Sequence, residues 1–439
     1  MSLKEYLPIF WRRPMINRIK ELISDKKVLI LGFGREGQST LNLLRRVGGY
    51  KSVGIADGRT DITVDGVSLH LGEGYQGVLD DYDVVFKSPG IVLEKTPSEY
   101  RCTVTSQVEQ FLGRYSAQTV GVTGTKGKST TSTLIHTVLS HSGRNTVFAG
   151  NIGIPVFDTI DSIADDTIIV LELSCHQLEY CRYSPHISVL LNLYEDHLDH
   201  YGTYEKYVAA KMNIFLNQQE NDIVYCRDDE LSLFDGCKSR VVVPDGKNMP
   251  FSSLREVEGV RLVGEKNYLN CCFVHSVVGN FGITDEEFIS ALKEFSPLPH
   301  RLERFATING ADYYDDSIST TVESAINAME SVENADTIII GGMDRGIDYT
   351  GLVEYLLTSR MENIILIYAS GKRISEMSEE LKKTKNIVLL DDIYAAAEWA
   401  LANMKSGRAC LLSPAAASYG YFRNFEERGD EFKKAITGK

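Results

Sequence analysis

The run Gly121-Val-Thr-Gly124-Thr125-Lys126-Gly127-Lys128-Ser129-Thr130 carries the strongest chemical signal in this chain. Successive backbone N–H groups in a glycine loop, placed at the positive end of a helix, make a concave anion site. Lys128 can reach the β- and γ-phosphates of a nucleotide there, and the Ser129 hydroxyl can ligate Mg2+. The spacing is a variant: position 122 is valine, and the glycines stand at 121, 124 and 127. A second glycine turn, Gly32-Phe-Gly34-Arg-Glu-Gly37, is followed twenty residues later by Asp57. That matches a dinucleotide fingerprint, in which a helix N-terminus takes phosphate and the acid takes ribose hydroxyls. The pattern calls for a nucleotide phosphate and does not single out NAD, although an NAD-dependent oxidoreductase is one reading of it.

Other residues add hard donors. In Leu171-Glu172-Leu-Ser174-Cys-His-Gln177 an apolar run ends in a carboxylate, and strand C-termini are where open α/β sheets hold ligands, so Glu172 is a candidate Mg2+ ligand. Asn192-Leu-Tyr-Glu195-Asp196-His197-Leu-Asp199-His200 offers oxygens and imidazoles without zinc-thiolate spacing, which favours Mg2+ beside a nucleotide. Lys211 sits in an apolar helical stretch. A charged amine is costly to bury, so the residues alone predict that it reaches out to solvent.

These groups need rigid elements to position them. Strand-like runs alternate with helical stretches, the pattern of parallel α/β sheets. Lys27–Gly34 and Asp83–Gly90 each read as a strand running into a turn, and Ser52–Ala56, Thr119–Thr123, Thr167–Leu173, Ile187–Asn192, Thr337–Ile340, Asn363–Ile367, Ile387–Leu390 and Ala409–Leu412 read as strands. Gln38–Val47, Thr131–His141 and Tyr204–Leu216 read as helices. The polar stretch at Arg114–Gln118 and the break at Ser296-Pro-Leu-Pro299 divide the chain into residues 1–116, 117–298 and 299–439. The first 25 residues, including Trp11 and Ile16–Leu22, read as an amphipathic helical extension with a packing role. A formal net charge of −14 argues against a nucleic acid or an anionic membrane surface as partner. No apolar run approaches the ~18 residues of a membrane span. The eight cysteines form no CxxC and read as reduced thiols of a cytoplasmic protein.

Taken together, the residues resemble the Mur ligases, ATP-dependent amino-acid-adding enzymes of peptidoglycan synthesis. The resemblance is carried by Gly124–Thr130, Gly150-Asn151-Ile-Gly153, Glu172–Glu179, Asn192–Asp199, Ala210-Lys211, Asn267-Tyr-Leu-Asn270, Leu298-Pro-His300-Arg301-Leu-Glu303, Tyr314-Asp-Asp316-Ser317, Gly341-Gly342, Leu412-Ser-Pro-Ala-Ala-Ala-Ser418 and Asn424-Phe425-Glu-Glu-Arg428-Gly429. It implies three α/β domains: a Rossmann-like N-terminal domain for a UDP-linked substrate, a central P-loop ATPase domain and a Rossmann-like C-terminal domain for the amino acid. On that template Gly34, Gly37, Asp57, Ser88, Pro89 and Gly90 hold UDP. Gly124, Thr125, Lys126, Gly127, Lys128, Ser129 and Thr130 hold ATP, with Asn267 and Asn270 at the adenine and His300, Arg301 and Asp316 as further nucleotide contacts. Ser129, Glu172, His197 and Lys211, the last as a carbamate, match the ligands of two Mg2+ ions. Asn151, Ser174 and Gln177 match positions near the muramoyl substrate or metal.

The implied reaction adds glutamate to UDP-N-acetylmuramoyl-L-alanine through an acyl phosphate, in a cytoplasmic monomer. Thr320, Arg345, Ser418 and Phe425 are the candidates for the glutamate pocket, since they follow strands expected to share one sheet edge. Two positions depart from the D-glutamate-adding pattern. Ile318 stands where that pattern has a lysine, and Arg345 stands at a second lysine position. An L-glutamate-adding relative is therefore an alternative.

Overall fold

The computed structural model describes residues 14–438. Most of the predicted extension before Pro14, with Trp11, lies outside them. The chain folds as two compact units. One runs to Pro250 and includes Asn270–Leu292, and the other comprises Phe251–Leu269 and Lys293 onward.

The first unit holds two parallel sheets. Strands β1 (Lys27–Leu31), β2 (Ser52–Asp57), β3 (Ser68–Leu71), β4 (Val84–Lys87) and β5 (Thr103–Thr105) align in the order β3-β2-β1-β4-β5. Strands β6 (Thr119–Thr123), β7 (Thr146–Gly150), β8 (Ile168–Glu172), β9 (Ile187–Leu190), β10 (Ile223–Tyr225) and β11 (Arg240–Val242) align as β11-β10-β9-β6-β8-β7. Strands β1, β6 and β8 are buried on both faces, which explains the unbroken Val/Ile/Leu runs of β1 and β8. In each sheet the connections leave the middle in opposite directions, at β1/β4 and at β6/β9. Such reversal points open a crevice beyond the strand C-termini.

Helix α1 (Pro14–Ile23) inserts Met15, Ile19 and Ile23 into the core, consistent with a packing role. Helices α2 (Arg35–Val47) and α3 (Gln107–Tyr115) flank the first sheet, and α4 (Lys128–His141) follows the glycine loop after β6. Short helices α5 (Cys175–Leu178) and α6 (Leu198–Tyr201) precede α7 (Tyr204–Met212). The predicted helix to Leu216 stops at Met212 because the chain turns there, burying Ile214 and Phe215 instead of continuing the period.

The second unit holds the third sheet: β12 (Glu303–Ile308), β13 (Ala311–Asp315), β14 (Ala335–Ile340), β15 (Asn363–Ile367), β16 (Asn386–Leu390) and β17 (Ala409–Leu412), in the order β12-β13-β17-β14-β15-β16. Only β12 runs antiparallel to its neighbour. All eight cysteines are free thiols. Among the described residues no helix is long and apolar enough to cross a membrane.

Candidate active site

The loop between β6 and α4 is shaped by its partners. Gly127 has φ +86°, and a Cβ there would stand 2.9 Å from Asn270 Oδ1, so a side chain would collide with the residue that closes the loop. Asn192, just after β9, brackets the loop from the other side. Its Oδ1 accepts the Lys126 N–H at 2.8 Å and its Nδ2 donates to Lys126 O at 2.9 Å. The Thr125 N–H donates to Asn192 O, and the Thr125 hydroxyl shares a 2.8 Å bond with Tyr207 OH. Ser129 and Thr130 sit in the first turn of α4, both buried. Lys126 is exposed and pairs with Asp196 at 3.5 Å.

Two amines converge on this loop. Lys128 Nζ donates to Gly124 O at 2.9 Å and Thr125 O at 3.0 Å, and Lys211 Nζ donates to the same Gly124 O at 2.8 Å. Lys211 is 1% exposed, which overturns the expectation that it reaches solvent. Its amine also lies 4.8 Å from the centre of the Tyr207 ring. Burial, reinforced by the Lys128 charge, pushes its pKa down to about 7. Near neutral pH a large fraction of it is therefore uncharged amine.

Glu172 ends β8 beside this group. Its Oε1 accepts the Asn151 Nδ2–H at 2.7 Å, while Oε2 is buried without a hydrogen-bond partner among the described residues. An ionised oxygen left so is expensive unless something cationic faces it. His197 caps α6 with φ +52°, half-exposed, its ring 4.7 Å from that of His176. Burial lowers the His197 pKa, and burial with the neighbouring His200, His197, Lys87 and Lys211 charges lowers that of His176 to about 4. Both are neutral imidazoles near pH 7. The buried Glu172 oxygen and the Ser129 hydroxyl are hard donors that fit Mg2+, while His197 and the Lys211 amine offer nitrogen, the latter becoming an oxygen donor only as a carbamate.

A cleft of about 450 Å³ opens at the β1/β4 reversal point, lined by Gly34, Asp57, Ser88, Pro89, Gly90, Asn151 and Gln177 among others. Those seven are sequence candidates that the fold brings together. Asp57 Oδ2 accepts the Phe33 N–H at 2.7 Å, and Arg59 grips the carboxylate through Nε and Nη2, both at 3.1 Å. Burial opposes its ionisation, but the Arg59 and backbone bonds hold the carboxyl below the usual range. Arg59 and Arg35, which line the same cleft, escaped the sequence reading; an arginine just past a strand end is too common to stand out. Gly37 does not line the cleft. A Cβ there would stand 2.3 Å from Gly32 O, so its role is the close approach of α2 to the turn. Ser174 is also outside it: its hydroxyl caps α5 on the Gln177 N–H. Gln177 Nε2 donates to Glu36 Oε1 at 2.7 Å.

In the second unit, Thr320, Arg345 and Ser418 follow β13, β14 and β17, which are neighbours in the sheet. The backbone bond from Met343 N to Ala417 O joins the Arg345 and Ser418 segments. Asp344, held by Arg373 at 2.7 and 2.8 Å, orders the Arg345 loop. Ser418 is buried, but Arg345 is exposed, so it is not the buried charge that a sealed pocket would use. Phe425 opens the helix Phe425–Thr437, half-buried and edge-on to His300 at 6.1 Å. His300 Nδ1 bonds Asp315 at 2.7 Å. Asp316 accepts from the Leu302 N–H and the Ser413 hydroxyl, and burial, against those bonds, raises its pKa to about 6. Arg301 lies in the turn ahead of β12, and Asn267 donates to Val263 O.

Comparison with known proteins gives one answer. Residues 122–244 match the family described as Mur ligase middle domain, and residues 300–416 match Mur ligase, glutamate ligase domain. A UDP-N-acetylmuramoylalanine--D-glutamate ligase of Clostridium botulinum (strain 657 / Type Ba4) is 31% identical over 96% of this chain and 98% of its own. The ligase of that name from Thermoanaerobacter sp. (strain X514) is 30% identical over 94% and 99%. A solved structure of MurF ligase from Thermotoga maritima in complex with ADP has a similar fold, with TM-score 0.58 at 19% identity over 95% of this chain and 96% of that one.

Proposed function

The chain belongs to the Mur ligase family, and we propose that it adds D-glutamate to UDP-N-acetylmuramoyl-L-alanine, coupled to cleavage of ATP. One observation carries this reading. Asn151 lines the cleft and donates to Glu172, whose other oxygen is buried and unpartnered beside the nucleotide loop. A substrate whose UDP end fills the cleft would thus bring its far end toward the Lys128–Lys211 pair. On this reading residues 1–116 bind the UDP-linked substrate, 117–298 bind ATP and 299–439 receive the amino acid. The reaction is that of a cytoplasmic, monomeric enzyme.

The chemistry follows from the substrates. A carboxylate is a poor electrophile because its leaving group would be oxide. Attack of a carboxylate oxygen on the γ-phosphorus releases ADP and makes an acyl phosphate, which has a good leaving group. The amine nitrogen of glutamate then attacks the acyl carbon, loses a proton, and phosphate departs. Lys128 stabilises charge spreading over the transferring oxygens, and the loop N–H groups hold the β-phosphate. Two Mg2+ ions, held through Ser129, Glu172, His197 and carbamylated Lys211, would supply further charge neutralisation at the phosphates. Burial of Lys211 as a near-neutral amine suits carbamylation, since only the free base adds CO2, releasing a proton. Asn270, which packs on Gly127 of the loop, adds a nucleotide contact on this reading.

The test is phosphate release with UDP-N-acetylmuramoyl-L-alanine and ATP, run with D-glutamate, L-glutamate and other amino acids in parallel. Phosphate release dependent on D-glutamate is expected. The substitutions at Ile318 and Arg345 favour L-glutamate as the second reading, and a preference for it would replace the first.

Two further outcomes follow. Asp57→Ala should raise KM for the UDP-linked substrate by about 10- to 100-fold, because charge-assisted bonds of ~1.5–3 kcal/mol are lost. The ATP KM should stay nearly unchanged, and a selective ATP defect would contradict the division of sites. Arg345→Ala should raise the glutamate KM by about 5-fold, since an exposed ionic contact contributes ~1 kcal/mol or less. Unchanged glutamate dependence would remove Arg345 from the pocket.

A further inference from the structure

We infer that Cys175, His176 and His197 form a site for a thiophilic divalent cation, Zn2+ by its donor set. The inference goes beyond the ligase reading and shares with it only His197.

One thiol sulfur and two imidazole nitrogens, one atom from each residue, lie within 4.8 Å of one another. Cys175 Sγ is 3.6 Å from His176 Nδ1. Sulfur and nitrogen bound to one zinc at ~2.3 and ~2.1 Å, at the tetrahedral angle, stand about 3.6 Å apart. That pair is already spaced as two ligands of one ion, and a small movement of the half-exposed His197 ring closes the set. Mg2+ has no use for a thiolate, whereas zinc binds sulfur and imidazole together.

The surroundings favour the same conclusion. Cys175 is 2% exposed. The Tyr201 hydroxyl is buried beside that thiol, within hydrogen-bonding reach of the sulfur. His200 packs edge-on against His176 at 4.4 Å and is itself fixed by Glu179 at 3.2 Å, so the His176 ring has a rigid wall behind it. Lys87, a cation facing the cluster, is ion-paired with Glu179 at 3.3 Å. On binding, the Cys175 thiol gives its proton to solvent and the sulfur lone pair forms the bond to the metal. Three protein ligands leave a fourth position for water or an anionic oxygen. Zinc there and Mg2+ at the nucleotide loop are alternative uses of the one His197 ring.

The test uses the full chain and metal alone, with no nucleotide. Titration with Co2+ should give one equivalent of bound metal with near-ultraviolet thiolate-to-metal charge-transfer absorption, abolished by added Zn2+. Cys175→Ser should lose that absorption, while Cys237→Ser, at a thiol bonded to Ser239, should keep it. His176→Asn, which leaves the thiol in place, should weaken Zn2+ binding at least ~10-fold in competition with a chromophoric chelator. Absence of the absorption in the folded wild-type chain would overturn the site. So would its survival in Cys175→Ser, or unchanged Zn2+ affinity in His176→Asn.

Discussion

Lys128→Ala should lower turnover by ~10²-fold or more at saturating ATP, the scale of losing one preorganised charge at a developing negative centre. The amine is held by two loop carbonyls, Gly124 O and Thr125 O, so it is positioned before reaction begins. Replacement leaves the loop N–H groups and α4 intact, because Gly127, Asn192 and Asn270 shape the loop without it. The loss should therefore fall on kcat more than on ATP binding. Lys128→Arg should not restore the rate, since a planar fork cannot occupy the place of a compact ammonium. Phosphate release and nucleotide binding, measured separately, check this. Near-wild-type turnover of the alanine variant would remove the loop from catalysis.

The contrast between what the residues announce and what they conceal has a physical basis. The β6–loop–α4 unit is legible because a buried strand, obligatory glycines and a helix start occupy one continuous stretch. The edge strand β11 and its neighbour β10, three residues each, are too short to carry a period. The hairpin β12–β13 is masked because β12 lies half-exposed at the sheet edge, where burial enforces no alternation. Glycine turns pointed to the cleft, yet Arg59 became visible only when its side chain was seen to grip Asp57. Gly37 fits the fingerprint for a packing reason and not as a ligand contact. Arg345 follows the right strand, but its exposure depends on loop path, which strand order does not determine. Lys211 is the sharpest case. Local sequence allows an amine to reach solvent, and only a carbonyl 87 residues earlier, at Gly124, decides otherwise.

That buried amine carries the second large expected effect. Lys211→Ala should reduce turnover by ~10²-fold or more, because the group facing the phosphates is lost from a site that excludes water. If the lysine acts as a carbamate, a small carboxylic acid should partly restore activity by placing an oxygen pair in the vacated space. Acetate or formate rescue of the alanine variant, absent in wild type, is the measurement. The pH dependence gives a second check with a fixed sign. Carbamylation needs the neutral amine, and with a pKa of about 7 its fraction falls as pH drops through that value, approaching tenfold per unit below it. At constant dissolved CO2, activity should therefore decline on the acid side of pH 7 and recover with added CO2. An ordinary lysine, neutral only near its usual pKa of ~10.4, would be almost wholly charged at pH 7 and would give no such response. Full activity in Lys211→Ala would show that the amine is buried for packing alone. Loss without carboxylate rescue and without CO2 dependence would assign it the role of a cation at the phosphates instead.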